Sequence, residues 1–150
     1  MNYNLQSYEA VYLIDDEHTT NFLHKVLLKK SGLEADVKTY MNPELALVQL
    51  TKDLLAIRGK ILVLLDINMP EMTGFEFLRS AGKLLHAKGK IEVLMVTSSI
   101  DPMDRERAYR DPLVLGYFEK PLKVSQLTDF LDSRERPPVS PAIMKKPISE

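Results

Sequence analysis

Four short apolar runs, each ending in a polar signal, constrain this chain more than any other feature. Val11-Tyr12-Leu13-Ile14 ends in Asp15-Asp16, and Ile61-Leu62-Val63-Leu64-Leu65 ends in Asp66, with Asn68, Met69 and Pro70 just beyond. Val93-Leu94-Met95-Val96 ends in Thr97-Ser98-Ser99, and Val114-Leu115-Gly116-Tyr117-Phe118 leads into Lys120-Pro121. Runs without polar alternation read as strands buried on both faces, as in a parallel sheet. Such sheets bind ligands beyond the carboxyl ends of their strands, where these four signals would gather. Three carboxylates, a hydroxyl and an amine make a site for a divalent cation and a phosphoryl group.

Helical patterns separate the runs. Phe22, Leu23, Val26, Leu27 and Lys30 recur at helical spacing and stop at Ser31-Gly32, a C-terminal cap. A weaker strand is expected from Val37 to Tyr40. Asn42-Pro43 then reads as an N-cap with proline in the first turn, opening a helix that ends at Arg58-Gly59. Leu45, Leu47, Val48, Leu50, Leu54 and Leu55 are its expected apolar face. Thr73-Gly74-Phe75-Glu76 has the spacing of a capping box. The helix it starts should turn Phe75, Leu78 and Leu84 or Leu85 inward and end near Gly89. Asp101-Pro102 opens a short polar helix, and Val124, Leu127, Phe130 and Leu131 mark the inner face of the last. Five βα units in sequence call for a parallel sheet covered by helices on both sides.

Composition excludes several classes. The 150 residues suit one domain, and 20 basic against 21 acidic side chains leave a net charge of −1. That balance predicts neither direct nucleic-acid binding nor a membrane-binding surface. With no cysteine there is neither a disulfide nor a thiolate metal site. No apolar run approaches the ~20 residues needed to cross a bilayer, so membrane insertion is not expected. Residues 1–9 lack the charged and apolar regions of a signal peptide, which makes cytoplasmic the default expectation. Pro137, Pro138, Pro141 and Pro147 interrupt a polar terminus, so residues 9–133 are expected to form the domain and 134–150 to have no fixed fold.

Asp15, Asp16 and Asp66 are hard oxygen donors of the kind Mg²⁺ prefers. A cation among them relieves carboxylate repulsion and neutralises phosphate oxygens, which lets a carboxylate attack phosphorus. Asp66 is the nucleophile candidate because it stands alone at the end of the central strand. Lys120 can pair with a carboxylate or phosphate oxygen, and Thr97 offers a hydroxyl. Singly, each has an ordinary reading as a cap, a loop hydroxyl or a solvated lysine. Their coincidence at the ends of four strands is what carries meaning. His18, His24 and His86 read as surface residues of helices rather than catalytic groups.

These motifs resemble the receiver domains of two-component response regulators. Ile14-Asp15-Asp16, Leu65-Asp66 through Thr73-Gly74, Val96-Thr97-Ser98-Ser99 and Tyr117-Phe118-Glu119-Lys120-Pro121 carry the resemblance, which runs from about Glu9 to Asp132. It implies a flavodoxin-like (βα)5 fold, a doubly wound five-stranded parallel sheet in the order 2-1-3-4-5. It also implies that Asp66 accepts a phosphoryl group from a histidine kinase or phosphotransfer protein. Mg²⁺ would be held by Asp16, Asp66 and the backbone carbonyl of Asn68, with Asp15 acting through water. Thr97 and Lys120 would contact the phosphoryl oxygens, and Lys120-Pro121 would be cis. Asn68 and Ser99 would tune phosphoryl lifetime, and Tyr117 would turn inward on activation. The signal would be read from the face of the fourth helix, fifth strand and fifth helix by an unknown downstream protein. A phosphorelay intermediate is one such role, and the oligomeric state, a homodimer included, is left open.

Other functions fit less well. A phosphatase or phosphotransferase using Asp66 would want an acid two residues on, and Asn68 cannot protonate a leaving group. A Walker B reading of Leu62 to Asp66 lacks the glycine-rich phosphate loop. A pseudo-receiver would not keep the whole residue set. The reading is therefore a phosphorylation-controlled signalling module rather than an enzyme, with too little chain after Asp132 for an output domain.

Overall fold

The apolar runs become strands because each buries both of its faces. The computed structural model describes residues 8–135. Among these residues ten elements alternate: β1 (Tyr8–Ile14), α1 (His18–Ser31), β2 (Asp36–Tyr40), α2 (Pro43–Ala56), β3 (Lys60–Leu65), α3 (Gly74–Gly82), β4 (Ile91–Thr97), α4 (Pro102–Tyr109), β5 (Val114–Glu119) and α5 (Val124–Glu135). All strand pairs are parallel, in the order β2-β1-β3-β4-β5. The run pattern called for a parallel sheet covered on both sides, and the flavodoxin-like order that the resemblance implied is the one observed. The Pro-rich segment lies, from residue 136 on, outside the described residues.

Strand periodicity divides the core in two. Ala10, Tyr12 and Ile14 of β1 pack with Ala46, Leu50 and Leu54 of α2 and with Phe77 and Leu78 of α3. The alternate residues Val11 and Leu13 meet Leu28 of α1 and Leu127 and Leu131 of α5. The expected caps are present. Asn42 accepts from Glu44 N–H at 2.9 Å, Asp101 accepts from Met103 N–H at 3.0 Å, and Thr73 and Glu76 complete the capping box. Gly32 ends α1 in the left-handed conformation at φ 86°, and its N–H returns to the Lys29 carbonyl.

The structure corrects several helix faces. On α1 the inward residues are Asn21, His24, Leu28 and Ser31, while Phe22 and Leu23 are exposed. At its amino end this face meets two strand-end carbonyls that need a donor, and Asn21 supplies it, with the apolar pair pointing outward. His24 is buried rather than a surface residue. On α2, Leu45, Val48 and Leu55 are exposed, and Ala46, Leu50, Asp53 and Leu54 point inward. A helix this rich in leucine offers several apolar faces. The hydrogen bond from the buried Tyr12 hydroxyl to Asp53, 2.6 Å, accompanies the one used. Helix α3 ends at Gly82, short of Gly89. Leu84 packs on the core from the following turn, Leu85 is exposed, and His86 lies in that turn at φ 69° rather than in a helix.

Candidate functional site

Strand register brings the polar signals together. Ile14 pairs with Leu65, so Asp15 and Asp66 leave adjacent strands side by side, and Asp66 N–H donates to the Ile14 carbonyl at 3.1 Å. Thr97 pairs with Glu119, and Lys120 N–H donates to the Thr97 carbonyl at 2.9 Å. Because β1, β3, β4 and β5 are neighbours, one continuous edge carries all four signals. The Lys120-Pro121 bond is cis.

Oxygens of Asp15, Asp16 and Asp66 lie within 4.8 Å of one another. Asp15 and Asp66 are buried and Asp16 is half-buried. Lys120 Nζ stands 2.6 Å from Asp15 Oδ2, 3.3 Å from Asp66 Oδ2 and 4.0 Å from Glu17 Oε1. The remaining bonds come from backbone, Glu17 N–H to Asp15 Oδ1 at 2.9 Å and Ile67 N–H to Asp66 Oδ1 at 2.8 Å.

One ammonium therefore faces three carboxylates. Burial raises the Asp15 carboxyl above its ordinary value, and the Asp66 charge adds to the rise against the pull of Lys120. Asp16 is raised by burial and by the Asp15 charge. Burial disfavours the Lys120 ammonium, but Asp15 and Asp66 outweigh it and hold its pKa above the usual lysine value. A buried, oxygen-only and under-neutralised donor set suits a hard divalent cation.

The other expected residues lie on β4 and β5 and on the loops that follow β3 and β4. Thr97 is fully buried, and its Oγ1 accepts from Ser99 N–H at 3.2 Å. Ser99 turns toward α4, donating to Asp104 Oδ2 at 2.6 Å. Asn68 is exposed in the loop after β3. Tyr117 is buried, with the Arg105 guanidinium carbon 5.4 Å from its ring centroid.

Three residues near the cluster escaped the sequence reading. Gly74 packs so closely under the loop that a Cβ there would overlap the Asp66 carbonyl oxygen and stand 3.0 Å from Ile67 Cα. Its place after Thr73 in a capping box marked a helix start and gave no hint of this approach. His24 is held neutral, its pKa lowered to about 4 by burial and by the nearby Lys120 charge. Asn21 bonds two strand-end carbonyls. Neither has a signal in hydropathy, because each is a polar residue on a buried face.

Comparison with known proteins places this geometry. The family model for the response regulator receiver domain matches residues 11–132. Among solved structures, a response regulator receiver protein from Dyadobacter fermentans is similar at 30% identity and TM-score 0.73, covering 83% of this chain and 95% of its own. A two component response regulator from Cytophaga hutchinsonii is similar at 26% identity and TM-score 0.75, covering 85% and 96% respectively. The Vibrio cholerae chemotaxis protein CheY4 is similar at 25% identity and TM-score 0.69, covering 86% and 99%. No curated protein sequence is a match.

Proposed function

The chain belongs to the response regulator receiver domain family, and on that premise we propose that Asp66 accepts a phosphoryl group from a histidine kinase or phosphotransfer protein. A bond forms between an Asp66 carboxylate oxygen and phosphorus as the phosphorus–nitrogen bond of the donor phosphohistidine breaks. The bonding pair returns to the donor imidazole. The observation that carries this reading is the trio of carboxylates within 4.8 Å, spanned by one ammonium that touches two of them.

Mg²⁺ would be held by Asp16, Asp66 and the Asn68 carbonyl, with Asp15 acting through water, and when bound it supplies neutralisation of phosphoryl oxygens. The protein's own residues do the rest. Lys120 moves its donors from Asp15 and Asp66 to the new phosphoryl oxygens, and Thr97 offers its hydroxyl after leaving Ser99 N–H. Tyr117 and its Arg105 neighbour respond to that shift. The phosphoryl group thereby favours one of two states of the face formed by α4, β5 and α5, which a downstream protein reads. Asn68 and Ser99 flank the site and set phosphoryl lifetime. The unit that carries this out is the domain expected over residues 9–133, extended at its ends by Tyr8 of β1 and by Arg134 and Glu135 of α5. It acts as a cytoplasmic signalling module that is phosphorylated, not as a turnover enzyme, and among the described residues no helix is long and apolar enough to cross a membrane.

The test is intact mass after treatment with acetyl phosphate, with and without Mg²⁺. A Mg²⁺-dependent phosphoryl adduct in the wild type, absent from Asp66→Asn, is expected. An unmodified wild type at every Mg²⁺ concentration overturns the reading and leaves the fold.

A further inference from the structure

The loop carrying Asp15 and Asp16 is held in an unusual way. Helix α1 begins after Glu17, whose side chain makes no capping bond to the helix. Glu17 Oε1 instead accepts from the Thr20 hydroxyl at 3.1 Å. One turn into the helix, Asn21 is 3% exposed. Its Nδ2 donates to the Asp15 carbonyl at 3.0 Å and to the Tyr40 carbonyl at the end of β2 at 3.1 Å. The same Tyr40 carbonyl accepts from Asp15 N–H at 3.1 Å. Asp15 is thus gripped at both its backbone N–H and its C=O, with the end of β2 as the common anchor. Asn21 Oδ1 is buried with no hydrogen-bond partner among the described residues, so Nδ2 alone keeps the side chain in register.

We infer that Asn21 is a positioning residue for the acidic site, fixing the Asp15–Asp16 backbone so that their carboxylates stay converged on Asp66. The inference rests on the reading of that site as a Mg²⁺ and phosphoryl acceptor. The physical case is a comparison of costs. Three carboxylates opposed by one ammonium repel one another, and an unrestrained loop relieves the repulsion by swinging Asp15 and Asp16 outward. The Glu17 N–H bond to Asp15 Oδ1 lies within the loop and moves with it. The Asn21 amide and the Asp15 N–H bond tie the loop to the sheet and the helix, and only the first is a side chain that substitution can remove. A buried asparagine in a helix interior is otherwise a poor choice, since it competes with helix hydrogen bonding and leaves a buried oxygen unmatched. Outer partners that orient ligands in this way are worth about 10–100-fold in metal affinity.

The experiment uses the full chain as Asn21→Leu and Asn21→Asp, with Ser31→Ala as the control. Ser31 lies on the same buried face of α1, and its Oγ donates to the Leu28 carbonyl at 2.6 Å, away from the acidic loop. Calorimetric titration with MgCl₂ is run at a temperature where circular dichroism shows each variant folded. Amide hydrogen exchange of Asp15 and Glu17 is measured on metal-free protein. For Asn21→Leu, Mg²⁺ binding about tenfold weaker and faster exchange at both amides are expected. Ser31→Ala lowers the urea midpoint without changing either readout. Asn21→Asp keeps the side-chain shape and turns a carboxylate oxygen on two carbonyls. An added charge alone would strengthen cation binding, so weaker binding there supports the clamp. Affinity and exchange within twofold of wild type in both Asn21 variants overturn the inference while the proposed function stands. A wild type that does not bind Mg²⁺ overturns the proposed function instead, and the exchange arm then decides the clamp alone.

Discussion

Buried carboxylates occur at both ends of the central strands, in opposite states. At the amino end, Glu92 in β4 accepts from the Tyr8 hydroxyl at 2.5 Å and from Lys60 at 3.0 Å. Arg134 of α5 grips it with two donors at 3.1 and 2.6 Å. One acid meets two cations and a hydroxyl. At the carboxyl end, three acids share one ammonium. Burial acts to raise the carboxyls of Glu92, Asp15 and Asp16 alike, yet Tyr8, Arg134 and Lys60 more than offset it and hold Glu92 below its ordinary value. Asp15 and Asp16 stay raised. The same chemical group thus closes the fold at one end and leaves unmet demand at the other, and the unmet demand is what a cation and a phosphoryl group can use.

The largest effect should come from breaking the satisfied end. Glu92→Ala strands the partly exposed Arg134 and Lys60. Breaking a fully buried pair costs about 3–5 kcal/mol, and solvent screening at this part-buried site brings the expected loss to about 3 kcal/mol at most. Urea unfolding at pH 7 should show this loss, with Mg²⁺ affinity of the folded protein unchanged. A parallel fall in Mg²⁺ affinity would mean that the two ends are coupled and the contrast is false. Gly74→Ala attacks the other end through shape instead of charge. Its methyl overlaps the Asp66 carbonyl, so a loss of about 2 kcal/mol is expected, on the scale of an overpacked core. Unlike Glu92→Ala, it should also abolish the phosphoryl adduct in the mass experiment.

Asp15→Asn sharpens the contrast further, because it should stabilise. Removing one of three charges from an under-neutralised cluster is worth about 1 kcal/mol, the scale of one pKa unit. The gain should appear as a higher urea midpoint in metal-free protein. With Mg²⁺ added, wild type should overtake the variant, since a ligand at 100 times its Kd stabilises by about 2.7 kcal/mol. A midpoint below wild type without metal would show that the pairing of Asp15 with Lys120 outweighs the repulsion.

This contrast also explains what was readable from sequence. The carboxyl-end cluster was legible because each member follows an apolar run, and parallel register converts that position into proximity. Asp15, Asp66, Thr97 and Lys120 needed only the strand order to meet. The amino-end cluster joins Tyr8, Lys60, Glu92 and Arg134, which share no motif and precede or trail their runs. Helix faces failed for a related reason. Hydropathy assigns Phe22 and Leu23 to the core, but the demand of the Asp15 and Tyr40 carbonyls puts Asn21 there instead. Gly74 was visible only as part of a cap. Polar demand from backbone is set by tertiary structure, and a single sequence does not display it.

The smallest and most discriminating effect is in the acid limb of stability. Glu92 has a folded pKa below the ordinary 4.5, so its stabilisation is complete above that value and is lost as pH falls through the depressed one. Asp53 behaves alike. Burial alone would raise it, but Lys38 at 2.7 Å, Tyr12 at 2.6 Å and Gln49 at 3.0 Å hold it below 3.8. Asp15 has the opposite sign. Its folded pKa lies above 3.8, so its cost is present at neutral pH and disappears on acidification. Urea midpoints of metal-free protein from pH 7 to pH 3 should therefore fall less steeply in Glu92→Gln than in wild type. They should fall more steeply in Asp15→Asn, which lacks the group whose proton uptake favours the fold. Slopes that move in the same direction in both variants would show that the two ends titrate as one cluster, and the division of labour between them would have to be abandoned.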